Sequence, residues 1–127
     1  MAPKNDPQAT RAAVDAVKGW IEDPEGEPRP SRQLIADACR RTVRALADEL
    51  PGHTVELRVP PFVAVQCVEG PRHTRGTPPN VVEMTPEVWL QLAAGKVDFT
   101  EAVADGRIEA SGSRAGEVAA GLPVIAL

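Results

Sequence analysis

A chain of 127 residues, 43% hydrophobic but only 3% aromatic, has the length of one domain and must build its core from Val, Leu, Ile and Ala. Its net charge of −4 is concentrated late, where Lys96, Arg107 and Arg114 face six carboxylates between Glu87 and Glu117, a balance that repels nucleic acid. No apolar run approaches the roughly 20 residues needed to span a bilayer, and the first ten residues lack a secretory apolar stretch, so the chain reads as soluble and cytoplasmic.

Asp6 followed by Pro7 starts a helix, and Ala9, Ala13, Val17, Trp20 and Ile21 recur at three- and four-residue steps along one face. Three prolines and a glycine within Asp23–Pro30 forbid its continuation, so residues 1–30 read as a helical appendage on an extended linker, and 31–127 as the main domain. The linker is long enough for the helix to dock on its own body or on a second copy, which makes a homodimer through the N-terminal helix conceivable. Ser31 caps a second helix whose apolar stripe is Leu34, Ile35, Ala38, Cys39, Val43, Leu46 and Leu50, opposite four arginines; Pro51-Gly52 stops it.

Val55, Leu57 and Val59 alternate with Glu56 and Arg58, the period of a half-exposed strand. Phe62–Val68 is apolar on both faces except at Gln66, which predicts an interior strand. Asn80–Met84 is a further short strand. Thr85 then caps a helix with Pro86 at its first position and Gly95 as its stop; Asp98 caps another, closed by Gly106. Arg107–Ser111 reads as the fourth strand and Ser113 as the start of a last helix. The two helices between Met84 and Arg107 are long enough to cross over the sheet. The tail Leu122–Leu127 is either a fifth strand or a segment lying across the sheet.

The run WLQLAAGKVDFTEAVADGRIEASGS, with Gly95-Lys96, Asp98-Phe99 and Gly106-Arg107-Ile108, resembles the type 2 sterol carrier protein family in its short, single-domain bacterial form, actinobacterial in look. The resemblance extends upstream through GPRHTRGTPPN and covers about Val43–Leu127 closely and Ser31–Thr42 loosely. It implies an α+β fold, a layered sheet of about five strands covered by helices, enclosing an apolar tunnel for a sterol, fatty acyl chain or acyl-coenzyme A. Tunnel walls under that resemblance are Phe62, Ala64, Val65, Val82, Met84, Trp89, Leu92, Phe99, Val103 and Leu122. Each of these would equally fill an ordinary core. Arg72, His73 and Arg75, on a loop stiffened by proline, offer guanidinium forks for a phosphate or carboxylate head group.

Enzymatic patterns are weak. His53 and His73 have no paired metal spacing, Gly-x-Ser-x-Gly is absent, and Cys39 and Cys67 sit at apolar positions as small buried hydrophobes. The chain resembles the C-terminal domain of thiol-dependent maleylpyruvate isomerases, but lacks a histidine-bearing helical bundle before it. The expectation is therefore a carrier of an apolar small molecule with no catalytic residues, cofactor or metal. The alternative is an interaction domain whose apolar groove takes a partner segment or a second copy.

Overall fold

The computed structural model describes residues 5–70 and 80–127. Helices α1 (Pro7–Asp15), α2 (Lys18–Glu22) and α3 (Arg32–Glu49) precede strands β1 (Val55–Val59), β2 (Val63–Cys67) and β3 (Asn80–Glu83). Helices α4 (Pro86–Ala93) and α5 (Phe99–Ala104), strand β4 (Glu109–Ser111) and a 3₁₀ helix, Ala115–Gly121, complete the chain.

Local signals set the helix starts. The side chains of Asp6, Ser31, Thr85 and Asp98 each accept a backbone N–H two or three residues on, relieving donors that the first turn leaves unpaired. Gly95 (φ 79°) and Gly106 (φ 87°) adopt the left-handed conformation that ends α4 and α5. The N-terminal helix is not continuous. Val17 leaves helical geometry at φ −118°, ψ 11°, and its N–H pairs back to Val14, so α1 and α2 are separate. Both dock on the body: α1 packs on α3 and α2 on α4, placing Val14, Val17, Trp20 and Ile21 in the common core. Arg29 of the linker folds back over the Trp20 ring, 5.1 Å from its centre.

The sheet is mixed, in the order β2-β1-β3-β4, with β1 parallel to β3 and the other pairs antiparallel. The fold is α+β, with four strands among the described residues rather than about five. The tail beyond Leu122 is no strand: the N–H groups of Val124, Ile125 and Leu127 bond the Ala93 and Ala94 carbonyls at the end of α4. Strand β2 is an edge, not the interior strand the pattern predicts. Only Val63, Val65 and Cys67 turn inward; Ala64 and Gln66 are exposed, and alanine, apolar by class, tolerates either environment. Nor do α4 and α5 cross the sheet. They return the chain so that β4 lies antiparallel beside β3.

One sheet face meets the helices and the other meets water. Val55, Leu57, Val59 and Val82 are fully buried, whereas Glu56, Arg58 and Glu83 share the outer face, where Arg58 pairs with both carboxylates at 2.9 and 3.8 Å. These pairs are surface pairs and contribute little to stability. On α3, Ile35, Ala38, Cys39, Val43 and Leu46 reach zero exposure, but Leu34, expected in the stripe, is 43% exposed. Serine 113 caps nothing. The Arg114 N–H is taken at 2.9 Å by Asn80 Oδ1 from β3, and the last helix is 3₁₀, beginning at Ala115.

Inside, Thr42 joins two helices. Its hydroxyl donates to the Ala38 carbonyl at 2.6 Å and accepts the Trp89 Nε1–H at 2.8 Å, both groups being buried. Replacing Thr42 with valine keeps the shape and orphans the indole N–H, which should cost about 1–3 kcal/mol. Urea titration of Thr42→Val, Trp89→Phe and the double variant should show a double-variant loss smaller than the sum of the single losses. Additive losses would show that the bond does not couple the helices.

Candidate functional site

The α4 C-terminus leaves carbonyls without helical partners, and the tail supplies them. Val124 N–H and Ile125 N–H reach Ala93 O at 2.8 and 3.1 Å, Leu127 N–H reaches Ala94 O at 3.2 Å, and Lys96 Nζ donates to Leu127 O at 3.0 Å. Held this way, the tail runs between two grooves that share Leu122 and Pro123. The first, about 580 Å³, has an apolar floor of Leu46, Leu50, Leu122, Val124 and Ile125, with Pro7 and Thr10 of α1 along one side. Its rim carries Asp48 and Glu49, and the Asn5 amide donates to the Asp48 carboxylate. The second, about 490 Å³, is walled by Leu92, Val97 and Phe99, with Lys96, Asp98 and Glu101 at its edge.

Of the ten wall residues expected from sequence, the structure brings Leu92, Phe99 and Leu122 together in the second groove. Val82, Met84 and Trp89 are members of the filled core, each no more than 4% exposed. Phe62, Val65 and Val103 are half-buried against that core, Phe62 beside the first turns of α3 and away from both grooves, and Ala64 faces solvent. Arg72, His73 and Arg75 lie outside the described residues. Leu46, Leu50 and Ile125 line the first groove beyond the expected walls. Their signal was present as the end of the α3 stripe and the apolar tail, but nothing local shows that the two meet.

A protein-family model described as bacterial SCP ortholog, SCP standing for sterol carrier protein, matches residues 31–124. The match begins at the Ser31 cap of α3 and leaves α1 and α2 outside it. No curated protein matches the chain.

Nucleophilic chemistry has little to work with among the described residues. Cys39 and Cys67 are both buried and free. Burial pushes the Cys39 thiol from its ordinary 9.0 to about 12, against a smaller lowering by the Arg40 charge, and pushes Cys67 to about 11. His53 Nδ1 instead meets Gln66 Oε1 at 2.8 Å in an exposed pair, and no cluster of three metal-binding side chains occurs among the described residues. Because the folded thiols hold their protons more tightly, their contribution to stability is complete below pH 9 and is lost as pH rises toward about 11 to 12. Folded protein at pH 8 should react with a thiol reagent far more slowly than urea-unfolded protein, which should titrate two thiols; equal rates would contradict the burial.

Proposed function

Because the chain belongs to the bacterial SCP ortholog family, we propose that it binds or transfers an apolar ligand, a fatty acyl chain or sterol, in the grooves flanking its C-terminal tail and without catalysis. One observation carries this reading: two half-open grooves of about 580 and 490 Å³ meet at Leu122 and Pro123, the first with an apolar floor and the second with mixed apolar and charged walls. The second groove is lined wholly within the family-matched segment, and the first adds Asn5, Pro7, Thr10 and Ile125 from outside it; the interior between sheet and α3 is filled by Val82, Met84 and Trp89.

Energetics bound the ligand. Burying a methylene contributes about 0.8 kcal/mol, and micromolar affinity needs about 8 kcal/mol, so about ten methylenes must leave water even before the cost of association. A long acyl chain or a sterol meets that demand; a short polar metabolite does not. The anionic head of an acyl-coenzyme A would rest on Arg72, His73 and Arg75, whose role is part of the proposal. The buried free thiols support work in a reducing cytoplasm, and among the described residues no helix is long and apolar enough to cross a membrane. Within one chain, α1 and α2 seat Val14, Val17, Trp20 and Ile21 in the common core.

Displacement of an apolar fluorescent dye by saturated acyl chains should be saturable in the micromolar range and strengthen about tenfold for every two methylenes added, until the groove is full. No saturable displacement would end the carrier reading. Ala120, exposed on the 3₁₀ helix and lining the first groove, offers a block that spares the core. Ala120→Trp should weaken acyl binding at least tenfold with little change in melting temperature; unchanged affinity would move the ligand out of that groove.

A further inference from the structure

Helix α3 carries a second concavity, far along its length from the tail. Arg32, Ala36 and Arg40 follow at four-residue spacing and so share one stripe, with the arginine Cα atoms about 12 Å apart along the axis. Both side chains nonetheless bend to the same residue. The Arg32 guanidinium lies 5.0 Å from the centre of the Phe62 ring, and Arg40 Nε donates to the Phe62 carbonyl at 3.2 Å. Ala36, only 6% exposed and without a side chain beyond Cβ, leaves a notch between them of about 240 Å³, which Gln33 also lines.

The charges in this notch are uncompensated. Arg41, Arg58, Lys96, Arg107 and Arg114 have carboxylate partners; Arg32 and Arg40, like Arg11, Lys18, Arg29 and Arg44, have none among the described residues, but only Arg32 and Arg40 converge on one residue, and the undescribed stretches contain no Asp or Glu. Asp37, the one carboxylate at the notch, is held by Arg41 Nε at 2.8 Å. In a chain of net charge −4, two guanidinium groups are thus fixed on one aromatic residue, and the one carboxylate at the notch is engaged by Arg41 instead. The Nε of Arg40 is occupied, which leaves its two terminal NH₂ groups for a ligand, and the planar fork matches the oxygens of phosphate.

We infer that the notch at Ala36, between Arg32, Arg40 and Phe62, binds a phosphate-type anion: free phosphate or a phosphomonoester. The site is separate from the grooves at the tail, and neither depends on the other. Phe62 serves it as a positioning residue, its ring holding one arginine and its carbonyl the other.

Isotope-labelled protein titrated with inorganic phosphate at constant ionic strength tests this. Saturable shifts are expected at the Arg32 and Arg40 Nε–H signals and the Ala36 amide. Arg32→Ala and Arg40→Ala should each weaken binding at least fivefold, Arg40→Lys should weaken it by keeping charge without the fork, and Arg44→Ala, exposed on the same helix outside the notch, should change it less than twofold. Shifts no larger than those with chloride, or an equal loss in Arg44→Ala, would overturn the proposal. Sedimentation with phosphatidylcholine vesicles containing phosphatidic acid separates two sources. Binding abolished by Arg32→Ala identifies a lipid phosphomonoester, while solution binding without sedimentation identifies a free phosphate compound.

Discussion

The indole of Trp89 sits in the apolar interior, and its one polar atom must find an acceptor there. It finds the Thr42 hydroxyl, itself tied to the Ala38 carbonyl, so a side chain of α4 is registered against one turn of α3. Much follows from that register. With α4 fixed on α3, the carbonyls of Ala93 and Ala94 stand where the tail can reach them; with the tail fixed, Leu122 and Val124 lie opposite Leu46 and Leu50. The grooves therefore arise from a short chain of dependencies that begins with one hydrogen bond between residues 47 apart in sequence.

What the sequence made readable was local. A carboxylate or hydroxyl at Asp6, Ser31, Thr85 or Asp98 can only accept from the turn it starts, and Pro86 can only sit where a donor is dispensable, so those helix starts need no knowledge of the rest. Long-range partners decided the rest. Ser113 lost its expected role because Asn80, from β3, takes the neighbouring N–H. Strand β2 went to the edge because the inward face needs only Val63, Val65 and Cys67, and the intervening Ala64 fits water as well as core. The break at Val17 interrupts an apolar spacing that would suit one straight helix; a β-branched residue and Gly19 weaken that helix, and neither names the point of rupture.

The candidate site was half legible for a related reason. Hydrophobic periodicity reports that a side chain leaves water, not whether its neighbour is another side chain or an empty groove. Trp89, Val82 and Leu92 satisfy that signal by filling the interior, the half-buried Phe99 and Leu122 by lining a groove, and nothing in their spacing separates the two outcomes. The Phe62 notch shows the converse. Four arginines on α3 read as one polar face, yet only Arg32 and Arg40 are drawn to a single aromatic residue, because the β1–β2 turn brings it there.

The tail is anchored through main-chain groups, while its side chains are left to shape the grooves. Anchorage and lining are thus written in different atoms. Substitutions at Leu122, Val124 or Ile125 that keep their backbone N–H donors can widen, narrow or reshape the apolar walls without unseating the segment. A fold built this way can diversify what it accommodates across descendants while its scaffold stays the same.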